Sequence, residues 1–204
     1  PEMKEFNPRH ILSYLKLIFG SVIDKNSLKL LFYAHENTPK VIYHDMERIK
    51  QVLANLMSNS IKYTKKGIIS AVIDWEQDKN DPNNGVIQFS VSDTGCGISK
   101  QRRDNLFNFL DPDKVKDQKT GNKDASITTN LAGTGLGISQ NIAIALDSRI
   151  EFTSSVGTGS KFWFKLKLNG LAHTHEEELI LKKKRQNFQL TQKIKHILSR
   201  TIHC

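Results

Sequence analysis

Two patterns run on one helical repeat between Asp45 and Thr64. Ile49, Val52, Leu53, Leu56, Met57 and Ile61 recur at three- and four-residue steps. With about 3.6 residues per turn they form one apolar stripe and predict a buried helix, with Asp45 as its N-cap. Arg48, Asn55, Asn59 and Lys62 fall on a second shared face and project in one direction. Asparagine is a poor helix former, so two of them one turn apart point to ligand binding rather than to a merely solvated face.

Around this helix the same patterning predicts an α/β (α+β) chain. Residues 8–26 carry Ile11, Leu12, Leu15, Ile18, Phe19 and Val22 on one side of a packing helix. Residues 27–35 alternate as a strand, and a short strand is expected at 41–43 after the Pro39 turn. Residues 67–75 and 86–92 are apolar, β-branched runs on either side of a turn-rich segment, and so form a hairpin with a long loop. A helix is expected over 100–110 and another after Gly137, and strands over 149–154 and 161–168 close a mixed sheet. Residues 111–132 are polar and aperiodic, which in a compact domain marks a functional or unstructured loop.

Composition narrows the functional classes. With 38% hydrophobic and 25% charged residues in 204, the chain has the make-up of a water-soluble globular domain with an extension. No apolar run reaches membrane-spanning length. Cys96 and Cys204 are too few for a disulfide framework or a zinc site, and a reducing compartment fits. The net charge of +9 raises nucleic acid as a partner, but residues 171–204 alone hold seven Lys or Arg against three Glu. The remainder is only mildly basic and carries no nucleic-acid-binding motif, so no nucleic acid is expected.

Further candidate chemistry follows the hairpin. Ile87, Phe89 and Val91 share one strand face, and the period of two carries Asp93 onto it, where an inward carboxylate needs donors. Gly133, Thr134, Gly135, Leu136 and Gly137 open a helix, so their amides can cradle an anion. A dinucleotide fingerprint is excluded there, because Ile138 stands where that pattern needs glycine. Cys96 has no partnering base and reads as a small packing residue.

Taken together, the run Asn55 to Thr64 resembles the N box of the histidine-kinase catalytic and ATP-binding domain, a member of the GHKL superfamily. Asp93, Gly95, Gly97 and Ile98 resemble its G1 box, 106–110 its F box, Gly133 to Gly137 its G2 box, and Gly157 to Phe162 its last glycine motif. The resemblance covers about 27–168 and implies a two-layer sandwich of the Bergerat type, with helices on one face of a mixed sheet. It implies ATP and magnesium as cofactors, with Asn59 holding the ion, Lys62 contacting a phosphate and Tyr63 packing on adenine. Asp93 would accept from the exocyclic amine of adenine, and Ser160 would lie near the base. The 111–132 loop would be the nucleotide lid, its Lys114, Lys116, Lys119 and Lys123 either approaching the phosphates or merely solvated.

Two departures bear on activity. The F box lacks the usual proline, and its second aromatic is not at the usual spacing. In hydrolytic relatives a water-activating glutamate precedes the magnesium asparagine by one turn, whereas this chain has Asn55. An amide is no general base at neutral pH, so phosphoryl transfer to a histidine is expected, with Asn55, Asn59 and Lys62 as the catalytic set. His10 lacks the context of the family's acceptor. The acceptor histidine and the dimerisation helices are therefore expected before Pro1, with 1–26 as a helical lead-in, 27–170 as the catalytic domain and a receiver domain as downstream partner. The domain would lie on the cytoplasmic side, its parent protein free to be membrane-anchored. Residues 171–204 form a basic tail, helical in pattern or disordered. The alternatives are a non-catalytic nucleotide-binding regulator, which the altered F box keeps open, and a hydrolytic ATPase of the superfamily.

Overall fold

The computed structural model describes residues 2–22, 28–81, 84–110 and 135–169, without the side chains of Val22, residues 107–109 and Asn169. In chain order these hold strand β1 (Lys4–Phe6), helix α1 (Arg9–Phe19) with a 3-10 turn at Gly20–Val22, strands β2 (Leu28–Ala34) and β3 (Ile42–His44), and helix α2 (Met46–Tyr63). Strands β4 (Gly67–Gln77) and β5 (Asn84–Asp93), helices α3 (Lys100–Leu110) and α4 (Leu136–Ala145), and strands β6 (Glu151–Ser155) and β7 (Gly159–Asn169) follow. The lid segment 111–132 and the basic tail expected from the sequence lie outside the described residues.

The main sheet has the order β2-β4-β5-β7-β6 and is mixed. β2 runs parallel to β4, while the β4–β5, β5–β7 and β6–β7 pairs are antiparallel. Strict alternation puts Ile69, Ala71 and Ile73 of β4, Ile87, Phe89 and Val91 of β5, and Phe164, Leu166 and Leu168 of β7 on one face, all buried. That face meets Ile49, Val52, Leu53, Leu56 and Met57 of α2, together with apolar residues of α1 and α4, in one core. Phe89 and Phe164, directly opposite in the register, stack with ring centroids 5.3 Å apart. Among the described residues no helix is long and apolar enough to cross a membrane.

Two local expectations change. The first helix stops at Phe19 instead of running to residue 26, because Gly20 is a poor helix former and the chain tightens there into a 3-10 turn. The short strand lies at 42–44 rather than 41–43 and stays out of the main sheet, pairing with β1, Lys4 opposite His44. Strands of three residues carry too little alternation to announce themselves. The helix expected after Gly137 begins at Leu136 and buries Leu136, Gly137, Ser139, Gln140, Ile142 and Ala143, with Ile138 exposed.

Helix α2 begins as its sequence predicts. Asp45 Oδ1 accepts from Arg48 N–H at 3.0 Å, and Oδ2 accepts from Glu2 N–H at 2.7 Å. Burial pushes the Asp45 carboxyl up, but these two bonds and the Arg48 guanidinium, 3.3 Å away, outweigh it and leave the group below the usual carboxylate range. His44 Nδ1 accepts the Asp45 N–H at 2.9 Å, and burial holds this imidazole below its ordinary value despite the nearby carboxylate.

Candidate functional site

Helix α2 and the loop after β5 meet at Asp93. The register of β5 turns Asp93 toward the helices, as its period of two requires, and two donors meet it there. Ser60, buried in α2, donates to Oδ2 at 3.2 Å, and Gly95 N–H donates to Oδ1 at 2.9 Å. An ionised carboxylate accepts about four hydrogen bonds, so capacity remains for a ligand donor. Gly95 is required here by close approach. A Cβ on it would lie 2.5 Å from Tyr63 O, 2.7 Å from Thr64 Oγ1 and 2.9 Å from Asp93 Oδ1.

The rest of the G1 turn is pinned to the far end of the sheet. Ile98 N–H donates to Ser154 Oγ at 2.9 Å, Gly157 N–H donates to Cys96 O at 2.9 Å, and Gly97 takes a φ of 69°. Ser160 lies opposite Asp93 in the β5–β7 register, and its hydroxyl is 3.0 Å from Ser154 Oγ. Ser154 already donates to Gly159 O, so Ser160 is the donor of that pair.

On α2 the polar residues divide. Asn59 is half-buried and has no hydrogen-bond partner among the described residues. Lys62 is exposed, its ammonium 5.3 Å from the centre of the Tyr63 ring, and Tyr63 is half-exposed beside it. Asn55 faces α4: its Nδ2 donates to Ser139 Oγ at 2.6 Å, and its Oδ1 lies against the point a Cβ on Gly135 would occupy. Glycine at 135 is thus what lets α4 approach Asn55. Arg48 does not join this group, contrary to the expectation from its spacing. Its guanidinium turns back onto Asp45, because a buried carboxylate one turn away is a stronger partner than open solvent.

The start of α4 completes the site. Gly135 is its N-cap and supplies no side-chain bond, so the first amides of Leu136 and Gly137 remain without a capping side chain. Gly133 and Thr134 lie outside the described residues. A cleft of about 560 Å³ runs from Asn55, Gly135 and Ser139 toward Tyr14, Lys50 and Gln51. Ser60, Thr64, Ser139 and Ser154 were not legible as site residues. The available signal was Ser60 itself, a hydroxyl four residues after Leu56 on the apolar stripe of α2.

The chain has recognisable relatives. Residues 44–170 match the family described as histidine kinase-, DNA gyrase B-, and HSP90-like ATPase. The sensor protein GacS of Pseudomonas syringae pv. syringae is 32% identical over 176 residues, which cover 85% of this chain and 18% of GacS. Hybrid signal transduction histidine kinase B of Dictyostelium discoideum is 32% identical over 167 residues, covering 78% of this chain and 8% of that protein. The chain therefore spans less than a fifth of the length of these relatives. Among solved structures, the catalytic domain of histidine kinase ThkA in a nucleotide-free form aligns over 82% of this chain and 99% of its own, with a TM-score of 0.56 at 21% identity. Full-length ShkA in complex with AMPPNP aligns over 84% of this chain and 32% of its own, with a TM-score of 0.60 at 20% identity. At those identities the likeness speaks for the fold. With more than half of its residues matched by the family and its boxes in the family's order, the chain belongs to the histidine kinase-, DNA gyrase B- and HSP90-like ATPases, as a catalytic and ATP-binding domain of the histidine-kinase type.

Proposed function

We propose that this chain is the catalytic module of a sensor histidine kinase. It would transfer the γ-phosphoryl group of ATP to a histidine on dimerisation helices, from which a response-regulator receiver domain would take it. The observation that carries this reading is the joint at Asp93: a carboxylate held by Ser60 and Gly95, with accepting capacity left over, directly beneath the helix that bears Asn55, Asn59, Lys62 and Tyr63.

The residues fit the nucleotide. Asp93 accepts from the exocyclic amine of adenine, Tyr63 packs on the base, and Gly95, Gly97 and Ile98 shape the turn beside it, with Ser160 across the register. Lys62, its ammonium 5.3 Å from the centre of the Tyr63 ring, would contact a phosphate. The amides of Gly135 to Gly137 at the start of α4, with Gly133 and Thr134 preceding them in the sequence, would take the phosphates, where aligned peptide dipoles favour negative charge. Asn59 offers one amide oxygen, and among the described residues there is no group of three or more His, Cys, Asp or Glu able to hold a metal. That donor set suits magnesium, which keeps several waters and takes phosphate oxygens for much of its shell. ATP brings the activated phosphoryl group and magnesium neutralises its charge. The protein binds, orients and excludes competing water. Asn55 cannot take a proton from water at neutral pH, and its amide is already engaged by Ser139, which favours an imidazole acceptor over hydrolysis.

Calorimetric titration with ATP, first with magnesium and then with chelator, followed by a phosphate-release assay, tests the reading. Magnesium-dependent binding, little release, and phosphorylation of acceptor helices supplied in trans are expected. Rapid release without acceptor, or no binding, would overturn it.

A further inference from the structure

The alternation that buries one side of the main sheet turns Leu31 and Tyr33 of β2, Ile68 of β4, and Lys165 and Lys167 of β7 to the other side, where all five are exposed. The described helices contribute to the core on the opposite side. An outer face of this kind is ordinarily polar throughout. Here Tyr33, Val72 and Trp163 lie in one row across it, with the small Ser90, 2% exposed, between Val72 and Trp163. A row of aromatic and aliphatic side chains crossing the middle of an outer face is what an interaction surface offers.

Charge on this face is sorted by strand. β4 carries Asp74 and Glu76, β7 carries Lys165 and Lys167, and the uncharged Gln88 and Val86 of β5 separate them in the same two rows. None of the four charged groups has an ion-pair partner among the described residues. β5 is the central strand, with β4 and β2 on one side and β7 and β6 on the other. A two-fold axis lying over β5 and along it therefore lays β4 of one copy on β7 of a second, and β2 on β6, with the rows kept in step. Asp74 then faces Lys165 of the second copy, Glu76 faces Lys167, Val72 faces Trp163, and the Tyr33 hydroxyl comes to Glu151. An axis across the strands would instead stack β4 on β4 and β7 on β7, like charge on like.

We propose that this outer sheet face is a homotypic interface, through which two copies of the chain pair back to back with β4 of each on β7 of the other. Sheets pack face to face about 10 Å apart with strands within about 30° of each other, a gap that a lysine and a carboxylate close from opposite sides. The five-stranded face measures about 24 Å by about 27 Å, roughly 650 Å² per copy and a little below the ~800 Å² of a standard interface. Pairing is therefore weak, with a Kd on the order of 10–100 µM, and its partner orientation is set by charge. Asp93 and the start of α4 lie on the helical side of the sheet, so both nucleotide sites stay open in the pair.

Sedimentation equilibrium of the full 204-residue chain, from about 5 to about 500 µM, tests the proposal. The variants are Asp74→Lys with Glu76→Lys, Lys165→Glu with Lys167→Glu, and all four changes in one chain. Wild type should dimerise in this range and dissociate as salt is raised. Each double reversal should weaken its own dimer at least about tenfold. An equimolar mixture of the two doubles should form a heterodimer, and the fourfold exchange should recover wild-type association within about threefold. ADP affinity and melting temperature should hold in every variant, since none of these side chains faces the core or the nucleotide site. A wild type that stays monomeric throughout, whether the face is bare or takes another partner, overturns the proposal. So do double variants that associate as well as wild type, which would place the contact on another surface, and a mixture that fails to pair. The mixture decides the matter should the fourfold exchange not fold.

Discussion

Replacing Ser60 with alanine probes the joint between helix α2 and strand β5 without touching any group placed on the ligand. The serine is buried, and its hydroxyl donates to Asp93 Oδ2 at 3.2 Å. A hydrogen bond to a charged acceptor contributes about 1.5–3 kcal/mol. At 3.2 Å this one is longer than a well-formed bond of its kind, and Asp93 is half-buried with Gly95 N–H still holding its other oxygen, so the low end applies. Alanine also gains about 0.5 kcal/mol of helix propensity over serine. The net loss should be about 1 kcal/mol, read as a lowered urea midpoint with unchanged m-value and a fall in melting temperature of roughly 2–4 °C. ADP affinity should drop about three- to fivefold, because the carboxylate loses the bond that aims it. Unchanged stability together with unchanged ADP affinity would refute the view that Ser60 positions Asp93.

Other outcomes are equally checkable. Asn59→Ala should weaken ATP binding about tenfold in magnesium and little in chelator, with stability moving by less than about 0.5 kcal/mol, as titration and urea unfolding would show. Gly135→Ala should cost about 1–3 kcal/mol by driving a methyl into the Asn55 amide, and Asn55→Ala in the same chain should recover most of it in a double-mutant cycle. Acid should destabilise the fold in two stages. Burial lowers His44, so its contribution is complete above the ordinary value of 6.5 and declines as pH falls below it, since the unfolded chain takes the proton first. Asp45, held low, contributes above its ordinary value of 3.8 and loses that contribution as pH falls through the folded value; urea midpoints across pH for wild type and His44→Gln separate the stages.

Helix α2 and the alternating strands were legible in the sequence because each is specified by neighbours a few residues away: the stripe from Ile49 to Met57, the Asp45 cap, and the period of two that turned Asp93 inward. The boxes were legible for a related reason, since glycines and polar residues at short fixed spacings report backbone demands that are local. Tertiary structure decided the rest. Ser60 meets Asp93 across 33 residues, Asn55 meets Ser139 across 84, and β1 pairs with β3 through strands too short to show alternation. Arg48 shared a face with Asn55 by arithmetic, yet a buried carboxylate one turn behind it claimed its charge. Periodicity reveals which side of an element is buried. Which hydroxyl finds a partner, and which, like that of Thr64, has none among the described residues, depends on packing that the sequence does not display.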